Sequence, residues 1–169
     1  MTVARWIRPL LTPPWRIRLA FSQRTLAAIE AAIARVEPSH TGRIRFAVET
    51  AVPSASRWRR ASSRTRALEA FSSLRVWDTE RNNGVLIYVL WAERRLEIVA
   101  DRGFGQRVRP SEWEAVCRLI EGYFREGRFR DGAIAGIDAV GALLARHYPS
   151  AEASAGRTAT ERPGQPALL

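Results

Sequence analysis

Residues 78–105 read D-T-E-R-N-N-G-V-L-I-Y-V-L-W-A-E-R-R-L-E-I-V-A-D-R-G-F-G. A polar loop, Asp78 to Gly84, leads into an apolar run from Val85 to Trp91. That run is mostly β-branched or aromatic and too short for a lone helix, so it reads as a buried strand. After a short charged break (Ala92, Glu93, Arg94), Leu96, Ile98 and Ala100 alternate with Arg95, Glu97 and Val99 as a second strand. Two strands with so short a link pair antiparallel. The Asp78–Gly84 loop and the Asp101–Gly105 turn then share one end of a hairpin, which is where function is expected.

Working outward, Ser22 is placed to cap a helix reaching about Glu37, with Leu26, Ile29, Ile33 and Val36 on one face. Pro38 ends it. Arg43 to Glu49 alternates Ile44, Phe46 and Val48 with Arg43, Arg45 and Glu49, the pattern of a half-buried strand. Pro53 and Ser54 open a second helix to about Leu74, whose core face is expected to carry Trp58, Ala61, Thr65, Leu68 and Phe71. Arg57, Arg60 and Arg64 share another face of it, a basic surface to which Arg59 and Arg66 add. Strand, returning helix and strand make a crossover unit, so the Arg43 and Val85 strands should be parallel. Pro110 and Ser111 start a third helix with Trp113, Val116, Cys117, Ile120 and Phe124 on one stripe, and Gly127 punctuates it. Asp131 is expected to cap a fourth, with Ile134, Ile137, Val140 and Leu144 inward. The order α-β-α-β-β-α-α gives an α/β fold, a small mixed sheet with helices packed over it. Residues 1–20 form a basic aromatic segment that docks either on the domain or on a membrane surface. Residues 21–149 form the domain, and 150–169, rich in Ala, Ser, Pro, Gly and Thr, a disordered tail.

The run N-N-G-V-L-I-Y-V-L-W, a turn, then R-L-E-I-V-A-D-R-G-F-G resembles the core of the TPM domain family, which includes the YgcG-type bacterial proteins and a thylakoid-lumen photosystem repair factor. The preceding helix and the later segment F-R-E-G-R-F-R-D-G-A-I-A-G-I are similar to that family as well. The resemblance covers roughly Phe21 to Pro149 and implies a three-layer α/β/α sandwich. Some family members bind divalent cations and show phosphatase activity, and short forms occur beside longer members and LemA-type membrane proteins. The resemblance therefore implies an accessory or interaction module acting with membrane-associated partners, or a divalent-cation-dependent phosphatase.

Parallel pairing brings three loops together: Glu37 to Gly42, Asp78 to Gly84, and Asp101 to Gly105. They carry His40, Asp78, Glu80, Asn82, Asn83, Gly84, Asp101 and Arg102 into one neighbourhood. Asp78, Asn83 and Asp101 offer the oxygen ligands that a hard cation such as Ca2+ or Mg2+ takes. The loop lacks the EF-hand spacing, and Asn82 and Asn83 stand where many relatives carry an acid, which lowers the negative charge. The same residues have a structural reading: Asn83-Gly84 suits a tight turn with positive φ, and Asp78 suits bracing a backbone. His40 sits in a loop beside the cluster, whereas His147 is expected to meet the terminal carbonyls of the last helix. Walker, G-x-S-x-G, H-E-x-x-H and paired-cysteine zinc motifs are absent from the sequence, so no catalytic set is assigned.

The chain carries 27 Arg and no Lys against 17 acids, a net charge of +10. Residues 1–24 hold five Arg and no acid, 41–77 eight Arg and two Glu, and 78–148 eleven of each, so the excess lies before the hairpin. A basic half suits anionic lipid, nucleic acid or an acidic protein, although no nucleic-acid motif accompanies it. Cys117 is the single cysteine and is expected to be buried, which excludes a disulfide framework. No stretch reaches the roughly 20 apolar residues of a membrane span, and Pro9, Pro13 and Pro14 break up the N-terminus, which lacks a signal-peptide core. The expected location is cytoplasmic, peripheral at the membrane.

Overall fold

The computed structural model describes residues 15–50, 62–151 and 167–168. Its elements run α1 (Trp15–Ala20), α2 (Gln23–Val36), β1 (Arg43–Glu49), α3 (Ser63–Ser73), β2 (Gly84–Leu90), β3 (Arg95–Ala100), α4 (Pro110–Arg125), α5 (Phe129–His147) and β4 (Ala167–Leu168). The sheet order is β3-β2-β1-β4. β2 pairs antiparallel with β3 and parallel with β1, in the register Arg43↔Gly84 and Val85↔Ala100. The crossover and the hairpin are both as the sequence implies. The two residues of β4 lie parallel to β1 at Ala47 and Val48, so part of the expected tail joins the sheet edge.

Strand alternation sorts the core into two layers. Ile44, Phe46, Val48, Val85, Ile87, Val89, Leu96 and Ile98 face α2, α4 and α5, with Ile17 of α1 and Phe21 packed against the same layer. Ile17 therefore docks on the domain; residues 1–14 lie outside the described part. Ala47, Leu86, Tyr88, Leu90 and Val99 face α3 on the other side. The result is the α/β/α sandwich.

Capping sets most helix starts. The Ser22 hydroxyl accepts from the Thr25 N–H at 3.3 Å, and Ser62 does the same for the Thr65 N–H at 3.1 Å. At α4 the Arg109 N–H donates to Glu112 Oε2 at 3.0 Å, while Pro110 occupies the first turn, where no amide donor is needed. α5 begins at Phe129, with Asp131 already in its first turn and paired to Arg128 at 3.0 Å, so it does not serve as the cap.

α3 departs most from expectation. Residues 51–61, including Arg57, Trp58, Arg60 and Ala61, lie outside the described part, and the described helix starts at Ser63. Its buried face is Ser63, Arg66, Ala67, Ala70 and Phe71, while Thr65 and Leu68 point to solvent. The reason is electrostatic. Glu49, expected on a solvent face of β1, is buried under α3, where the Arg66 guanidinium bonds both of its oxygens and the Tyr88 hydroxyl donates to it. Satisfying that carboxylate rotates the helix by one position from the apolar stripe. Arg66 is therefore no part of the basic surface, and Arg64 Nη1 donates to the Ile98 carbonyl at 2.7 Å. Glu97 is likewise buried beneath α3, accepting from the Ser63 hydroxyl at 2.6 Å.

Candidate functional site

The three loops converge at the N-terminal ends of β1 and β2. The Arg43 N–H donates to the Asn83 carbonyl at 3.4 Å, the Asp101 N–H to Gly84 at 2.9 Å and the Gly103 N–H to Asn82 at 3.0 Å. Asn82 takes the positive φ of the turn, at 51°. Gly84 is instead required by close approach, because a Cβ there would stand 1.9 Å from the Val76 carbonyl oxygen.

Asn83 is fully buried; its N–H donates to Thr79 Oγ1 at 3.0 Å and its amide to Thr41 Oγ1 at 3.2 Å. Asn82 Oδ1 accepts from Arg102 Nε at 2.9 Å. Asp101 Oδ1 accepts from the Arg102 N–H at 2.7 Å and starts the short turn Arg102–Phe104. His40 is buried, with Nδ1 3.1 Å from the Gly42 carbonyl, and burial pushes its pKa below the ordinary value. Asp78 is exposed and its N–H donates to the Arg75 carbonyl at 3.1 Å; Glu80 is exposed too. Backbone bonds thus join the three loops, but Asp78 is exposed, whereas Asn83 is buried and Asp101 half-buried.

Asn83 Oδ1, Asp101 Oδ2 and His40 Nε2 are buried and have no hydrogen-bond partner among the described residues. One carboxylate and one amide oxygen have the hard-ligand chemistry of a Ca2+ or Mg2+ site, yet they carry a single negative charge. Among the described residues no group of three His, Cys, Asp or Glu side chains is placed to hold a metal ion.

The C-terminus of α5 closes this end of the sandwich. The Tyr148 hydroxyl donates to the Gly103 carbonyl, its ring packs edge-on to Phe104 with centroids 5.1 Å apart, and its own carbonyl accepts from the Thr41 N–H at 2.9 Å. Beside it lies an open cleft of about 400 Å³ lined by Arg81, Gly103, Arg107, His147 and Tyr148. His147, expected to meet terminal carbonyls, instead lines this cleft, with its Nε2 buried and without a partner among the described residues. The Arg107 guanidinium lies over the Tyr148 ring at 5.2 Å. Arg81, Arg102 and Arg107 have no ion pair among the described residues, whereas Arg95, Arg109, Arg118, Arg125, Arg128 and Arg146 are all paired to acids. The cleft was not foreseen from sequence; the even charge count of residues 78–148 concealed it.

Elsewhere, Cys117 is fully buried and its thiol is pushed up to about 12, chiefly by burial and then by the neighbouring Glu121. No helix of the described residues is long and apolar enough to cross a membrane.

No curated protein matches the chain. Among solved structures, the NMR structure of the BA42 protein from the psychrophilic bacterium Bizionia argentinensis is similar, with 26% identity, a TM-score of 0.74, and coverage of 88% of this chain and 94% of that one. The family model of the TPM domain matches residues 19–143, spanning β1, β2 and β3, the three loops and most of α5. The chain belongs to the TPM domain family.

Proposed function

We propose that this TPM domain is an accessory binding module that presents its loop end to an acidic, membrane-associated protein. The observation that supports this is the gathering of Arg81, Arg102 and Arg107 at one end, without carboxylate partners among the described residues. Unneutralised guanidinium groups on a rigid scaffold steer and orient an acidic surface. The loop polar groups are largely occupied in holding one another: Asn83 with Thr41 and Thr79, Asn82 with Arg102. To test it, a photo-cross-linking residue is placed at position 81, and another at position 130, beside Phe129, which packs on Trp91 at the opposite end of the sheet. A membrane-fraction protein cross-linked from 81 and not from 130, and lost with Arg107→Glu, supports the reading. Equal adducts from both positions, or none, would refute it.

A second reading, a divalent-cation-dependent phosphatase, draws on the unpartnered Asn83 Oδ1 and Asp101 Oδ2. A cation bound there would supply charge to polarise a phosphoryl oxygen. Amide shifts confined to residues 78–84 and 101–105 during Ca2+ and Mg2+ titration, together with phosphomonoester hydrolysis lost in Asp101→Asn, support it. A flat titration removes it.

A further inference from the structure

β1 has seven residues, yet its partner on the outer side, β4, has two, seated parallel to it opposite Ala47 and Val48. The Arg43 N–H donates to Asn83 and the Glu49 carbonyl accepts from Trp91, so the odd-numbered residues of β1 turn their backbone groups to β2. Those of Phe46 and Val48 therefore point toward β4, and Ala167, opposite Ala47 and between them, presents the matching donor and acceptor. Ala47 and Val48 are fully buried, so another strand reaches this part of the edge only by replacing β4. β4 has the fewest pairings of any strand in the sheet and falls below the usual strand length of about 3–10 residues. It also lies outside residues 19–143, the part that matches the TPM family model.

We propose that the outer edge of β1 is a homotypic docking site, at which the C-terminal segment of a second copy of this chain replaces the chain's own β4. A second copy is the occupant the structure argues for, because its Ala167 and Leu168 meet the same register that these residues already hold. Reach permits the exchange. Residues 152–166 connect β4 to the end of the domain. A connector of about 15 residues spans at most about 50 Å, against a radius of gyration of about 14 Å for a domain of about 130 residues. Exchange in both directions keeps every pairing of β4 and closes a twofold dimer. Ala47 and Val48 lie toward the C-terminal end of β1, away from the loop end, so the dimer leaves both sets of loop arginines free.

The test is sedimentation velocity of the full chain across a wide range of concentration. A reversible monomer–dimer equilibrium is expected. Its dissociation constant should rise tenfold or more in Ala167→Pro, which lacks the amide donor, and change less than twofold in Arg107→Glu at the loop end. Exchange itself is read by mixing two singly substituted full chains, Val48→Cys and Leu168→Cys, under mild oxidation. Register partners on neighbouring strands stand about 4.8 Å apart, within reach of a disulfide. Cys117 is buried, so the introduced thiols are the ones that react. A disulfide-linked dimer with one chain of each kind is expected, and none from Leu168→Cys mixed with Ala115→Cys, whose position on α4 is exposed. A chain that stays monomeric at every concentration, or a dimer indifferent to Ala167→Pro, overturns the proposal. So does equal linkage to positions 48 and 115, or no linkage to position 48 in a folded chain. The sedimentation of the unsubstituted chain decides the matter even if Val48→Cys fails to fold. Loss of the dimer leaves the binding-module reading untouched, since that reading rests on the loop end.

Discussion

The Glu49–Arg66 pair gives a quantitative test of how α3 is seated. Arg66 is 9% exposed, Glu49 5% and Tyr88 not at all. Replacing Arg66 with Met keeps most of the side-chain volume and leaves a buried carboxylate with the Tyr88 hydroxyl as its remaining partner among the bonds described above. Removing one member of a buried pair costs about 3–5 kcal/mol, because the other charge stays desolvated. Replacing both, as Glu49→Gln with Arg66→Met, removes that charge and should recover most of the loss; buried pairs exchanged for neutral groups are often neutral in stability. The assay is urea unfolding followed by circular dichroism. With a slope of about 2 kcal/mol per molar, the single variant's midpoint should fall by roughly 1.5–2.5 M. A loss under about 1 kcal/mol for Arg66→Met, or a double variant no more stable than the single, would show that the pair does not hold α3.

Gly84→Ala forces a Cβ to 1.9 Å from the Val76 carbonyl, and overpacking against backbone should cost about 3 kcal/mol or prevent folding, read as a fall in the thermal midpoint. Cys117, with its thiol raised to about 12, should resist alkylation at pH 8 in the native protein and react fully in denaturant; stoichiometric native labelling would contradict its burial. His40 has a folded pKa below its ordinary 6.5, so the unfolded chain binds its proton first as pH falls. Its contribution is complete above about 6.5 and declines as pH drops toward the folded pKa, so the urea midpoint should decline over that window and flatten there in His40→Asn.

Much of the fold was legible because local and long-range signals agree. The Val85–Trp91 run, the alternation at Arg43–Glu49, the Ser22 cap and the stripe from Trp113 to Phe124 each point to the element the structure contains. What was not legible depended on pairing across the chain. The apolar period of α3 gave the wrong face because Arg66 is drawn inward by Glu49, seventeen residues earlier. Strand direction alone brings the backbones of the three loops together, so their adjacency is legible in the sequence. Their side-chain directions are not, because Asp78 turns out and Asn83 in according to turn geometry. His147 and Arg107 come to line one cleft through the packing of Tyr148, just after α5, on Gly103 and Phe104. No spacing along the chain encodes that.

The closure of the loop end by residues 148–150 also sets an order of assembly during synthesis. The Ser150 hydroxyl donates to the carbonyl of Pro38, 112 residues earlier, and the Tyr148 hydroxyl to that of Gly103, 45 residues earlier. At ribosomal speeds of about 5–20 residues per second, the first loop waits roughly 6–22 s for the segment that fastens it. The sheet's own pairings need nothing beyond Ala100 among β1, β2 and β3. Those three strands can therefore pair on the emerging chain before the loop end is fastened, and the cleft beside Tyr148 forms only after α5 has been made.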